Sequence, residues 1–285
     1  MPTVRTDDID TYYERRGDGP AIVFVHASML DHSLWDAQVE ALSDDYTTVV
    51  YDVRGHGMTG GSSAARYSVA RYADDLRALL TALELDRPVV CGLSMGAMVA
   101  QTYAAQYPED VSGVILAEPF TAPFVGAGDW LLRRVVLNAL VLPVRLFGLE
   151  RVERANVWLT ERFAPGSGGD YDNVQRLRDS GPSMATAEFA KVAKSMARFH
   201  EESVDLSAIR APSLVLFGEH GLPAVKAHVA RLAASLSDVD VDEVPGAGHA
   251  CNLDDPEYFT ASVRRFLEAV SRPTEDTEVD ADPSE

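Results

Sequence analysis

Short runs of β-branched and other apolar residues alternate with helix-length amphipathic segments, and this alternation restricts the fold more than any other feature of the chain. Ile22-Val23-Phe24-Val25 follows the turn Gly17-Asp18-Gly19-Pro20 and reads as a strand buried on both faces. Thr48–Tyr51, Pro88–Cys91, Val114–Leu116, Ser213–Phe217 and Val239–Val244 read as further strands. Between them lie helical patterns over Ser33–Ser43, Val69–Leu85, Met95–Tyr107, Ala224–Leu236 and Pro256–Val270. In Val69–Leu85 the apolar face is Tyr72, Leu76, Leu79, Leu80 and Leu83. Val4–Arg16 alternates polar and apolar residues around Asp7-Asp8, the pattern of an edge hairpin. The expected fold is α/β: a mostly parallel eight-stranded sheet flanked by helices.

The alternation stops between residues 120 and 206. That stretch is too long for a plain loop, and it carries helical patterns over Trp130–Leu142, Val152–Phe163, Asn173–Arg178 and Ala187–Phe199. It reads as a helical cap inserted into a core made of residues 1–119 and 207–271. Val135–Leu149 is very apolar but contains Pro143 and Arg145. Packing on the core or lining a pocket is the favoured reading, with a membrane-facing lid as the alternative. Residues 272–285 are acidic and rich in Pro, Thr and Asp, the composition of a disordered tail.

Composition excludes several functions. The 285 residues carry a formal net charge of −19, with three lysines among 25 basic residues. Such a surface repels nucleic acid and anionic membranes. The acids are spread along the chain, which favours adaptation to high salt over a localised partner-binding face. No run of 18 apolar residues is present, and Met1–Arg5 lacks a secretory apolar core, so a cytoplasmic protein without stable membrane insertion is expected. The two cysteines, Cys91 and Cys251, form no CxxC pair, so neither a zinc site nor a disulfide framework is expected. Cys91 reads as a strand residue, and Cys251 as a candidate pocket residue. The sequence sets no oligomeric state.

Four motifs carry chemistry. Gly92-Leu93-Ser94-Met95-Gly96 stands between a strand and a helix, the context in which G-x-S-x-G forms a nucleophile elbow. The following helix aims its free N–H groups and positive dipole end at the site. His26-Ala27-Ser28-Met29 ends the first parallel strand. Acyl chemistry at a serine needs two oxyanion donors, and the candidates are the N–H groups of Met95 and Ser28. Asp52-Val53-Arg54-Gly55-His56-Gly57 forms a tight loop in which His56, like His26, reads as structural. Pro245-Gly246-Ala247-Gly248-His249 ends the last strand, and a flexible loop there lets His249 reach Ser94 as its base.

These motifs, in this order and spacing, resemble the α/β-hydrolase family. More narrowly, they resemble the branch of 3-oxoadipate enol-lactonases, esterases and cofactor-free haloperoxidases. The resemblance covers about residues 4–118 and 211–270 and leaves the cap uncovered. It implies a catalytic acid after the strand Leu214–Phe217, as G-x-x-D. The chain departs there: Gly218-Glu219-His220-Gly221 places a glycine at the acid position. Some members, including certain haloalkane dehalogenases, carry the acid after the preceding strand instead. Glu118, 24 residues after Ser94, occupies that position. Glu219 is the second candidate, and loss of the acid the third. Those dehalogenases use aspartate where this chain has Ser94, which disfavours alkyl displacement. The resemblance therefore implies hydrolysis of a small-molecule ester, lactone or similar acyl substrate through an acyl-enzyme, with no metal or organic cofactor. Two alternatives remain: a cofactor-free perhydrolase using peroxide, and a ligand-binding protein with a decayed triad. The apolar cap residues Trp130, Leu131, Leu132, Val135, Val136, Leu140, Trp158, Phe163 and Phe199 suggest a hydrophobic substrate.

Overall fold

A computed structural model describes residues 2–163, 166–182 and 184–271. The acidic segment 272–285 lies outside the described residues. Strands β1 (Thr3–Thr6) and β2 (Ile9–Arg16) form the expected hairpin, turning at Asp7, which takes a left-handed φ of 54°. β3 (Ala21–Val25), β4 (Thr47–Tyr51), β5 (Val89–Leu93), β6 (Gly113–Ala117), β7 (Ser213–Gly218) and β8 (Val239–Val244) follow. The sheet order is β1-β2-β4-β3-β5-β6-β7-β8, antiparallel at β1/β2 and β2/β4 and parallel elsewhere.

Successive residues of a strand point to opposite faces, so the unbroken apolar strands supply two cores. Val23 and Val25 face one side, with Tyr72, Leu76 and Leu79 of α2 (Val69–Ala82) and Val99 and Tyr103 of α3 (Met95–Gln106). Ile22 and Phe24 face the other, with Trp35, Val39 of α1 (Asp36–Leu42) and Phe259 and Val263 near the C-terminus. Full burial of one such large side chain contributes about 1.5–3 kcal/mol. Ser68 caps α2 by accepting a hydrogen bond from Arg71 N–H (3.1 Å).

Between β6 and β7 the ordered elements are helical, as expected. α4 (Ala127–Trp130) runs through a π-helical turn, Leu131–Val136, into α5 (Leu137–Phe147). Gly148, with φ 84°, ends α5, and α6 (Leu149–Phe163), α7 (Tyr171–Ser180) and α8 (Thr186–Ala197) follow. Val141 and Val144 pack against Phe189, Ala190 and Ala193 of α8, with Met29 from the core alongside. α9 (Pro223–Ser235), α10 (Cys251–Asp254) and α11 (Pro256–Ser271) complete the chain.

The apolar residues of the insertion divide differently from the expectation. Phe199 is fully buried in the main core, but Trp130, Leu131, Val135, Val136, Trp158 and Phe163 face outward. Their side chains are turned to the surface, while Val141 and Val144 of α5 and Phe189, Ala190 and Ala193 of α8 form the packed inner side. The composition of the cap therefore says nothing about a hydrophobic substrate.

Candidate active site

Ser94 forms the corner between β5 and α3 with φ 56° and ψ −108°, a conformation that costs a non-glycine residue about 1–3 kcal/mol. Its glycine neighbours make the corner possible. A Cβ on Gly92 would lie 2.1 Å from the Gly96 carbonyl oxygen, and one on Gly96 would lie 2.0 Å from that of Val25. The Ser94 N–H donates to the Ala117 carbonyl (2.9 Å), which ties the corner to the end of β6.

Glu118 is the next residue after that carbonyl and is fully buried. It too has left-handed backbone, with φ 49°. Its N–H donates to the Leu216 carbonyl (2.8 Å), and its Oε1 accepts from the Gly218 N–H (2.6 Å). Its Oε2 lies 3.0 Å from His249 Nδ1, while His249 Nε2 lies 3.0 Å from Ser94 Oγ. A carboxylate only accepts, so Nδ1–H donates to Glu118 and Nε2 is left to accept the Ser94 hydroxyl. The His249 loop is braced from both sides: His249 N–H donates to Ser167 O (3.1 Å) and Gly248 N–H to Asp254 Oδ2 (2.7 Å).

The structure thus brings Ser94, His249 and Glu118 together at the carboxyl ends of β5, β8 and β6. It does not bring Glu219 there; Glu219 Oε2 accepts from Gly246 N–H (2.9 Å) instead. A Cβ on Gly221 would lie 3.4 Å from both carboxylate oxygens of Glu118. Glu118 therefore occupies the space towards which a side chain at position 221 would point.

The two candidate oxyanion donors are the backbone N–H groups of Met95 and Ser28. Met95 opens α3, where the first N–H groups have no partner within the helix. Ser28 is half-buried in the loop after β3, and Met29 follows with φ 63°. His26 holds this loop: its Nδ1–H donates to Ala27 O (2.7 Å), and its Nε2 accepts from Val53 N–H (2.9 Å). Burial lowers the His26 pKa, which keeps the ring in the neutral form that can accept. His56 packs edge-on against His26, and burial lowers its pKa to about 3. Both histidines are structural, as expected.

Among the described residues, Asp31, His32 and Asp52 are the group whose ligand atoms lie close enough to share an ion, within 4.8 Å of one another. Those atoms are already engaged. Asp52 Oδ1 accepts from His32 N–H and Nδ1–H (both 2.8 Å), Asp52 Oδ2 from Met58 N–H (2.6 Å), and Asp31 Oδ1 from Ser33 N–H (3.0 Å). The group fastens the loops after β3 and β4 to each other. Cys251 corrects an expectation: it is fully buried in the core, where burial raises its thiol pKa. A cavity of about 340 Å³ does separate core from insertion, with Met29, His56 and Gly57 on one side and Leu149, Glu153 and Arg178 on the other.

Hydrophobic periodicity gave no sign of a buried polar clamp beside the site. Asp129 and Arg133, four residues apart across the α4–π junction, are each 1% exposed. Arg133 donates to both carboxylate oxygens of Asp129 (2.6 and 2.8 Å) and to the carbonyls of Thr121, Ala122 and Pro123 (3.0, 3.2 and 3.2 Å). From α9, His228 Nδ1 accepts from Thr121 N–H (3.0 Å), and its Nε2 lies 3.1 Å from Asp129 Oδ2. Burial opposes the Asp129 charge, but hydrogen bonds from His228 and Arg133 outweigh it and hold its pKa at about 2. The clamp fixes the chain three to five residues beyond Glu118. The one cue in the sequence is the Asp–Arg pair at helical spacing within an apolar stretch.

Three comparisons place the chain among known proteins. The family model described as the alpha/beta hydrolase family matches residues 22–262. The chain is 29% identical over 264 residues to a putative carbamate hydrolase RutD of Rhizobium rhizogenes, covering 90% of this chain and 95% of that one. It is 27% identical over 268 residues to 3-oxoadipate enol-lactonase 2 of Acinetobacter baylyi, covering 93% and 96%. A solved thermophilic esterase from Thermogutta terrifontis superposes with a TM-score of 0.76 at 25% identity, covering 95% of this chain and 100% of the esterase. The eight-stranded sheet, its parallel order and the matched residues agree: the chain belongs to the α/β-hydrolase family.

Proposed function

We propose that this protein is a serine hydrolase that cleaves a carboxylic ester, a lactone or a similar acyl substrate through an acyl-enzyme. The observation that carries the reading is the continuous chain from Ser94 Oγ through His249 to Glu118, with 3.0 Å at each link. His249 Nε2 takes the Ser94 proton as Oγ attacks the carbonyl carbon. Glu118, accepting from Nδ1–H, holds the ring in the required tautomer and stabilises the imidazolium that forms. The N–H groups of Met95 and Ser28 receive the negative oxygen of the tetrahedral intermediate. His249 then gives the proton to the leaving alcohol, and water repeats the sequence on the acyl group. For a lactone the leaving alcohol stays tethered to the product. Relatives named as an enol-lactonase, a carbamate hydrolase and an esterase fit this reaction class.

Glu118 also argues against a decayed binding protein, because a triad without its acid would leave His249 without an acceptor at Nδ1. A fluorophosphonate probe tests the reading directly. Wild-type protein should be labelled and the Ser94→Ala variant should not, and esters or lactones from a p-nitrophenyl and lactone panel should turn over only with the wild type. Failure of folded wild-type protein to label would overturn the proposal. Supplying peroxide and water as competing acceptors on one acyl donor separates hydrolysis from perhydrolysis.

A further inference from the structure

Large exposed apolar side chains are concentrated in one part of this molecule. Trp130, Leu131, Val135, Val136, Leu142, Leu146, Phe147, Trp158, Leu159 and Phe163 are all exposed, and outside this stretch the described residues add Met58 and Val241. Leu131, Val135, Leu142 and Leu146 recur at helical spacing, so they form a stripe along the outside of the π turn and α5. The opposite side of α5 is already used, because Val141 and Val144 are buried against α8. A helix apolar on both sides normally lies between two layers, and here the outer layer is unassigned.

The charge of the same stretch is reversed relative to the chain. Residues 130–163 contain six arginines and three glutamates, a net +3 within a protein of −19, which leaves −22 for the remainder. Arg133 belongs to the buried clamp, whereas Arg134, Arg145, Arg151, Arg154 and Arg162 are exposed on the same helices as the apolar side chains. None of the chain's three lysines falls in this stretch.

From these two observations we infer that the outer face of α5 and α6 docks on an anionic lipid surface, lying in its headgroup layer. Leucine and valine side chains enter the acyl boundary, tryptophans sit at the headgroup level, and long arginine side chains reach back to the phosphates. The contact is peripheral, since no helix among the described residues is long and apolar enough to cross a membrane. The charge of the patch selects the occupant. Arg154 is already paired with Glu150, but the stretch keeps a net positive charge that an anionic surface complements and a neutral one does not, and the acidic remainder of the protein turns the molecule so that this face leads. The inner side of the insertion packs beside Met29, next to the candidate oxyanion donor Ser28, so a docked molecule would hold the loop carrying that donor close to the lipid. The inference does not depend on the proposed hydrolysis.

Co-flotation of the full chain with vesicles tests it, using phosphatidylglycerol–phosphatidylcholine mixtures against pure phosphatidylcholine at one ionic strength. Wild-type protein should float with the anionic vesicles and do so at least about tenfold less with the neutral ones. Leu142→Ser/Leu146→Ser should lose binding to the anionic vesicles. Arg145→Glu/Arg151→Glu, which keeps the apolar stripe, should lose most of the preference for anionic lipid. Ser94→Ala should bind like the wild type, which separates docking from catalysis. No binding to either vesicle would overturn the inference, as would equal binding to both. So would a wild-type dimer in solution that the leucine variant converts to a monomer without any vesicle binding, because a second copy would then cover the face.

Discussion

Glu118 reaches His249 from the end of β6, and the backbone there is left-handed at a residue with a full side chain. Such strain persists only where surrounding contacts enforce it. Here the Glu118 N–H, both its carboxylate oxygens and the preceding Ala117 carbonyl are all engaged, to Leu216, Gly218, His249 and Ser94 respectively. Glu118→Gln keeps the shape but offers His249 an amide that no longer stabilises an imidazolium. Turnover should fall by about two to four orders of magnitude, while Glu219→Gln, whose carboxylate faces Gly246, should change it little. Position 221 gives a sharper test. Its missing Cβ would lie 3.4 Å from the Glu118 oxygens and 3.0 Å from the Gly218 carbonyl oxygen, and its backbone is not left-handed, so a side chain is admitted if that carbonyl shifts by a few tenths of an ångström. Gly221→Asp added to Glu118→Gln should restore at least tenfold of the lost rate by supplying a carboxylate from the neighbouring strand end. Added to the wild type, it should slow the enzyme, because two adjacent carboxylates compete for one proton. Steady-state rates of the four proteins decide the matter, and a double variant no faster than Glu118→Gln would refute the exchange.

At the scale of elements, the strands, the hairpin, the elbow and the helical insertion were legible because each rests on a local pattern. Ile22 and Phe24 against Val23 and Val25 is a period-2 signal, and Tyr72, Leu76, Leu79 is a helical one. Ser94 and His249 were legible for the same reason, since glycines mark the turns that carry them. The proposed acid, Glu118, was legible only as a choice among positions, because its approach to His249 is a matter of tertiary distance. The clamp of Asp129, Arg133 and His228 was not legible, since His228 comes from α9, about a hundred residues after the insertion helix and the loop that it meets. The outward apolar face was misread, because composition cannot tell the inner side of a helix from the outer. The clamp carries its own prediction. Arg133→Met would bury Asp129 without its main counter-charge and leave the carbonyls of Thr121, Ala122 and Pro123 without that donor. Breaking a buried pair from one side costs about 3–5 kcal/mol, so the urea midpoint should drop accordingly. Asp129→Asn in the same chain should recover part of the loss. A single variant as stable as the wild type would show that the pair holds nothing together.

For the whole molecule the decisive quantity is a net charge of −19 carried by a surface with three lysines. A partner-binding face would gather its acids. Here exposed acids occur on the hairpin (Asp7, Asp10), in the turn before β4 (Asp44, Asp45), on α2 (Asp74), on α7 (Asp172, Asp179) and on β8 (Asp240, Glu243). Self-repulsion among such sites opposes the compact state, and its range is the Debye length, about 10 Å at 0.1 M salt and about 3 Å at 1 M. Stability should therefore rise as potassium chloride is raised from 0.1 M towards 2 M, by roughly 2–4 °C in melting temperature for each kcal/mol of repulsion removed. Salt also strengthens apolar burial in any protein, so the rise alone does not identify charge as the cause. A variant with the exposed Asp44, Asp86, Asp238 and Asp240 changed to Asn separates the two effects, because it keeps the apolar core and loses four charges. It should melt higher than the wild type at 0.1 M and gain less from added salt, so that the two curves converge. Parallel curves would mean that the acidic surface serves some purpose other than tolerance of concentrated salt.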